Sequence, residues 1–251
     1  MYSLKIRLAG KNIIASVIYP TTERYCRDYL ADFDTADVTV AVSESDIAAE
    51  RAKNDRERIL EGLPPVEVSD AYLETLSLYR KIAEALIDFG IILFHGSAIA
   101  VDGETYLFTA TSGTGKSTHT RLWRETFGDR AVMVNDDKPL IEIRDTGATI
   151  YGTPWNGKHR LGSNVSLPLK AICILERAEK NRITELDPKS EFPKIFSQTY
   201  RKSDGMFMAK TLSLLDKLLS VVKVYKLGCN MELEAALVSY NGMKGNDKNE
   251  A

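Results

Sequence analysis

Scarcity frames this chain. Among its 251 residues there are three cysteines, three histidines and two tryptophans. Cys26, Cys173 and Cys229 stand far apart with no CxxC spacing. That argues against a disulfide framework or a zinc site and points to reduced thiols in a cytoplasmic protein. Net charge is scarce too: 33 Lys and Arg against 35 Asp and Glu leave a formal −2. This balance supports neither a nucleic-acid coat nor an acidic membrane partner. Long apolar runs are missing. The longest uncharged one, "IILFHGSAIAV", is too short to span a bilayer and contains His95. The opening "MYSLKIRLAGKN" has charges inside its apolar run, unlike a signal peptide. No internal repeat is visible, and the polar "MKGNDKNEA" is expected to be a frayed tail.

What is present suffices for a sizeable core: 44% of residues are hydrophobic and 27% charged. The length fits one large domain, or one domain with a modest extra lobe. Residues 2–8 and 12–18 read as strands around a turn at "AGKN". A short helix and the strand "DVTVAV" follow. Ser43 then stands as N-cap of a charged helix, "SESDIAAERAKNDRERI". "EGLPPVE", with two prolines and a glycine, cannot continue a helix and marks a boundary. The expected domains are therefore a small α+β lobe over 1–65, a main domain over 66–242, and a disordered tail over 243–251. "AYLETLSLYRKIAEALIDFG" is an amphipathic helix ending at Gly90, expected to pack on the main sheet. Strands at "IILF", "SAIAV" and "TYLFTA" precede a glycine-rich bend and a helix to about Phe127. "RAVMVNDD" is a buried strand ending in acid, and "PLIEIRD" with "ATIYG" forms a hairpin. "LKAICIL" is another buried strand. Helices near 189–200 and 205–221, the strand "VKVYKLG" and the helix "MELEAALVSYNG" complete the pattern.

The bend is the most informative stretch: "LFTATSGTGKSTHTRLW", residues 107–123. A phosphate cradle needs little side chain, many inward N–H groups and a helix starting directly afterwards. Ser112, Gly113, Thr114 and Gly115 form the bend, Lys116 is placed to reach the outer phosphates, and Ser117 supplies a hydroxyl for Mg²⁺; Thr118 completes the nucleotide-binding set. The pattern GxxxxGK[ST] is met except at its first position, which is Ala110. The cradle is expected to hold ATP with Mg²⁺.

Asp136 and Asp137 end the strand "AVMVNDD", twenty residues after Lys116. One helix plus one strand fills that interval and returns the chain beside the bend. There one carboxylate can hold a metal while the other takes the proton of an attacking hydroxyl. We assign Asp136 as base and Asp137, with Ser117, as metal ligand. "NDDKP" is also good turn chemistry, so a solvated turn is the alternative.

Three segments in order, "FHGSAIAVDGETYLFTATSGTGKS", "VNDDKPL" and "HRLGSNV", resemble the HPr kinase/phosphorylase family, and the bend itself resembles that of the phosphoenolpyruvate carboxykinases, which share this core. The likeness covers roughly residues 91–175. It implies an α/β fold with a P-loop kinase core, a mixed sheet and flanking helices. It gives His95 a place near the transferred phosphate, Asp136 and Asp137 the base and metal roles, and Arg160 the steadying of transferred charge. HPr kinases form assemblies, so a homo-oligomer is compatible. Thr118 stands where those enzymes have an acid, and the first 90 residues are too short for their N-terminal domain; recognition of HPr and phosphorylase activity are therefore not implied.

Within "WNGKHR", Trp155, Asn156, Lys158 and His159 join Arg160 as acceptor-binding candidates, against the alternative of an exposed polar loop. Arg121 reads as a helix-surface residue, with a contact to phosphate or adenine as the alternative. The expected partners are a nucleotide and a hydroxyl-bearing substrate, with no nucleic acid and no membrane. The acceptor leans to a small polyhydroxylated metabolite such as inositol. A serine of a protein or peptide is the second possibility, and a non-catalytic nucleotide-binding regulator the third. The sequence has no NKxD base-reading motif of a GTPase.

Overall fold

A computed structural model describes residues 1–60, 62–64, 66–157 and 159–245. The chain divides into two compact units, Met1–Leu86 and Ile87–Ala251.

In the first unit, β1 (Tyr2–Leu8) and β2 (Lys11–Val17) form an antiparallel hairpin. Its turn uses Ala9 and Gly10 at φ 49° and 71°. Period-two alternation turns Leu4, Ile6 and Leu8 inward on β1, with Ile13, Ala15 and Val17 on β2. The helix α1 (Thr21–Tyr25) precedes β3 (Val38–Ala41), which lies parallel to β2. α2 (Glu44–Leu60) starts as expected at Ser43, whose backbone N–H and hydroxyl both donate to the Asp46 carboxylate. α3 (Asp70–Leu86) carries Leu78, Ile82 and Leu86, all fully buried, at four-residue spacing. It also buries Glu74, whose carboxylate accepts the backbone N–H groups of Ile18 and Tyr19 and the hydroxyl of Thr22. Three donors satisfy that acid, so Glu74 ties α3 to the start of α1. The sequence reading placed α3 in the main domain. The helix instead packs on α2 and β3, and the first unit extends to Leu86.

The second unit is α/β with a nine-stranded mixed sheet. Its strands are β4 (Ile91–Leu93), β5 (Ser97–Val101), β6 (Glu104–Thr109), β7 (Ala131–Asn135), β8 (Leu140–Arg144), β9 (Gly147–Tyr151), β10 (Ser166–Arg177), β11 (Arg182–Leu186) and β12 (Lys223–Cys229). The path runs β4-β8-β9-β10-β6-β5-β7, with β12 pairing β10 and β11. β10 does two jobs. Ser166–Pro168 pair antiparallel with β9, and the rest runs parallel to β6 and β12.

Alternation along these strands sorts the core onto two faces. Leu107, Ile172 and Ile174 share a cluster with Phe207, Leu215 and Leu218 of α6 (Gly205–Val221). Tyr106, Phe108, Ala171 and Cys173 face the other way. They meet Leu122 and Trp123 of α4 (Lys116–Phe127), with Ala236 and Tyr240 of α7 (Glu234–Lys244). The sheet is thus covered on both faces, as parallel strands require. Asp204 caps α6 through the Phe207 N–H at 2.8 Å, and the short α5 (Phe192–Ser197) precedes it. β11 is absent from the sequence reading. Its burial never alternates cleanly, so it leaves no period-two signal. The tail falls largely outside the described residues, with α7 reaching Lys244. Among the described residues, no helix is long and apolar enough to cross a membrane.

Candidate active site

β6 and β7 flank β5, and both pair with it antiparallel. They therefore run in one direction, and their carboxyl ends meet the amino end of β5 at a single edge of the sheet. The register places Ser97 opposite Phe108 and Ala98 opposite Asn135. β10, parallel to β6, ends at the same edge with Arg177. Ligands of open α/β sheets bind beyond carboxyl ends of this kind.

The bend after β6 turns on Gly113 and Gly115 at φ 76° and 125°, values that side-chain-bearing residues rarely adopt. α4 starts at Lys116, and no side chain caps it. Its first N–H groups are left for another acceptor, and the positive dipole end favours an anion. Lys116 Nζ donates to the Ala110 carbonyl at 3.1 Å. The residue at the irregular motif position thus holds the lysine with its backbone, for which alanine serves as well as glycine. Burial lowers the Lys116 pKa, against the pull of Asp137 and Asp136. Both acids therefore lie within electrostatic reach of the lysine.

Asp136 is 8% exposed and accepts the Ser97 hydroxyl at 2.6 Å; the Ser117 hydroxyl bonds it as well. Burial holds its pKa above the usual carboxylate value despite these two hydrogen bonds. Asp137 points elsewhere. Its Oδ1 lies 3.3 Å from His95 Nε2, and its Oδ2 takes Lys138 Nζ at 2.6 Å. Burial acts to raise this carboxyl, but the His95 hydrogen bond and the Lys138 ammonium override it and leave the pKa lowered. The divergence comes from an Asx turn: Asn135 Oδ1 accepts the N–H groups of both Asp137 and Lys138, at 2.9 and 2.7 Å. Turn chemistry and site chemistry are here the same feature.

His95 is seated by its own backbone, which donates to the Gln198 carbonyl at 2.7 Å. Gly96 follows by necessity: a Cβ there would lie 2.8 Å from Leu107 Cδ1 and 2.9 Å from the Phe108 carbonyl. The His-Gly pair is thus a histidine at the edge of the site and a close strand crossing behind it.

The loop after β9 folds over the acids. Ser163 N–H donates to the Val134 carbonyl at 3.3 Å, and Asn135 Nδ2 reaches the Thr153 hydroxyl at 3.0 Å. A Cβ on Gly157 would stand 3.4 Å from Asp137 Cβ. Trp155 is 2% exposed and anchors this loop from inside. Asn156 packs against Gly162. His159 is exposed and close enough to Asp136 to act on its carboxyl. Arg160 is exposed, at φ 51°, with its N–H on the Gly157 carbonyl. Lys158 lies outside the described residues. The structure therefore gathers the bend, Lys116, Ser117, Asp136, Asp137, His95 and His159 at one edge.

Two residues of this edge escaped the sequence reading. Ser97 stands two positions after His95, a strand residue whose hydroxyl faces Asp136. Arg177 ends the "LKAICILER" strand, and its Nη2 donates to the Gly113 carbonyl at 2.6 Å. Only the order of strands in the sheet reveals either. Arg121 does lie on the helix surface, paired with Glu125 at 2.7 Å.

His119, one turn into α4, belongs to the core. Trp123 Nε1 donates to His119 Nε2 at 3.1 Å, and Ser239 of α7 shares the contact. Burial pushes the His119 pKa down to about 4. An unfolded chain binds this proton near pH 6.5, the folded one only near 4. The full contribution to stability is present above pH 6.5 and is lost as pH falls toward 4, a difference of about 3 kcal/mol. Between pH 7 and pH 4.5, urea unfolding of the protein should therefore lose about 2–3 kcal/mol more than that of His119→Leu. Equal losses in both would place the titration elsewhere.

No family model matches the chain, and no curated protein does. Among solved structures, the HPr(Ser) kinase/phosphatase from Coxiella burnetii matches at 14% identity, over 61% of this chain and 99% of that one, with a TM-score of 0.34. At that score the likeness carries no argument.

Proposed function

We propose that the second unit is an ATP- and Mg²⁺-dependent kinase that transfers the γ-phosphoryl group to a hydroxyl acceptor. One observation carries this reading: Asp136 is hydrogen-bonded to Ser117 at the start of α4, and both acids act on Lys116. A glycine bend, its lysine, its hydroxyl and two carboxylates thus share one edge.

The residues suit magnesium. Among the described residues no group of three or more His, Cys, Asp or Glu side chains could hold a metal. One carboxylate and one hydroxyl, completed by phosphate oxygens and water, is a typical Mg²⁺ arrangement. Ser117 and Asp136 would hold it. That exchanges the roles assigned from sequence, because Asp136 is the acid beside Ser117 and Asp137 the one beside His95. When bound, the ion supplies charge neutralisation on the β- and γ-phosphates.

The bend's N–H groups and Lys116 bind and orient the triphosphate. Asp137, its pKa lowered, is ionised at neutral pH and can take the acceptor's hydroxyl proton. The acceptor oxygen bonds to the γ-phosphorus as the bond to the β–γ bridging oxygen breaks, releasing ADP. His95 and Lys138 position Asp137, and Arg160 steadies the moving charge from the loop. Most of the rate gain is positioning and electrostatics.

The acceptor leans to a small polyhydroxylated metabolite, inositol being the example. His159 and Arg160 at the exposed rim suit hydroxyls or an anionic group. Incubation with ATP labelled at the γ-phosphate, a polyol panel and a cell-extract protein fraction tests the reading. Label is expected in the polyols. Label in protein instead would make it a protein serine kinase, and no label would leave a nucleotide-binding regulator.

A further inference from the structure

Arg177 has no place in the scheme so far. Its side chain is exposed at the end of β10, 64 residues beyond Gly113 in sequence. No acidic side chain pairs with it among the described residues. Its guanidinium instead takes two carbonyls of the bend: Nη2 donates to Gly113 at 2.6 Å, and Nε to Thr114 at a longer 3.5 Å.

A peptide unit is planar, with its carbonyl and N–H pointing in opposite directions. A carbonyl held on one side therefore aims the following N–H to the other. The Gly113 carbonyl is on Arg177, while the Thr114 N–H closes the turn onto Thr111 at 3.2 Å. That plane is fixed at both ends. In the next plane, the Thr114 carbonyl faces Arg177 and the Gly115 N–H faces away from it. The Gly115 N–H has no backbone acceptor among the described residues. It directly precedes the first turn of α4, which no side chain caps. Glycines at 113 and 115 make the bend deformable, so an outside clamp sets which way its N–H groups look.

We propose that Arg177 is a positioning residue for the triphosphate: it locks the two peptide planes of the bend, keeping the turn closed at Thr114 and the Gly115 N–H turned away from the guanidinium, free to meet a phosphate. This rests on the nucleotide reading above. The clamp acts on phosphate geometry and leaves the base and ribose untouched. It also adds a positive charge to the outer face of an anion site.

The test is calorimetric titration of the full chain with Mg·ATP and, separately, with inorganic triphosphate. Wild type, Arg177→Ala and Arg177→Lys are compared, with thermal midpoints as control. Arg177→Ala should weaken both ligands by the same factor, about tenfold or more, with no change in midpoint. Arg177→Lys, able to reach one carbonyl but not both, should fall between. Unchanged affinities would overturn the proposal, and so would a loss confined to ATP, which would put Arg177 on the nucleoside. Wild-type protein that binds neither ligand would remove the nucleotide reading itself, a result distinct from either.

Discussion

Lys116→Ala should lose phosphoryl transfer by a factor on the order of 10³ while the fold persists. The ammonium is half-buried, its pKa lowered by that burial, and among the described residues its one hydrogen bond goes to the Ala110 carbonyl. Such a cation is poorly solvated and incompletely paired, so a phosphate gains more from it than from a surface lysine. Its removal also takes one positive charge away from the neighbourhood of Asp136 and Asp137. Stability should barely move, because the variant loses a desolvated charge along with one hydrogen bond. Lys116→Arg should not rescue transfer, since a planar guanidinium cannot take the place of a compact ammonium held on the Ala110 carbonyl. Steady-state transfer and a thermal melt of each variant check both halves. Full transfer by Lys116→Ala would remove the lysine from the site.

Asp136→Asn should lose most of its activity and be more stable than the wild type at pH 7. The carboxylate is 8% exposed, and burial raises its pKa. For an acid the sign is clear: a folded pKa above the unfolded one makes the ionised form a cost, which grows as pH rises through the titration. Asparagine keeps an oxygen for the Ser97 and Ser117 hydroxyls and discards the charge. The thermal midpoint should rise by about 2–4 °C for each kcal/mol recovered, and the gain should vanish below the carboxyl's titration. Activity falls by a factor of about 10² or more because the metal loses its carboxylate. Asp137→Asn is the contrast. Its wild-type pKa is lowered, so that variant should lose both activity and stability. A destabilised Asp136→Asn would mean that the buried charge is compensated by more than the two serines.

Much of this was readable from the chain, for reasons that differ by element. The hairpin at Gly10, the Ser43 cap and the glycines of the bend are local chemistry, decided by a few neighbouring residues. The two acids were legible because one helix and one strand have a fixed return length. Their different directions were not, since these depend on the Asn135 side chain folding back on its own turn. An amphipathic stripe says that a helix packs, not on which sheet, so the pattern of α3 does not reveal that it belongs with α2 and β3. Arg177 and Ser97 stayed hidden because strand order, which no local pattern encodes, brings β10 and β5 to the bend. Trp155 looked like a pocket wall from its polar neighbours, yet its ring faces inward at 2% exposure.

The central claim is that the glycine bend and Asp136 address one and the same ligand. The most direct measurement is ATP affinity with and without Mg²⁺, in wild type and in Asp136→Asn. The account predicts that Mg²⁺ tightens ATP binding to the wild type and that this gain shrinks or disappears in the variant. ATP binding with the same Mg²⁺ dependence in both proteins, or no ATP binding to the wild type at all, would contradict it.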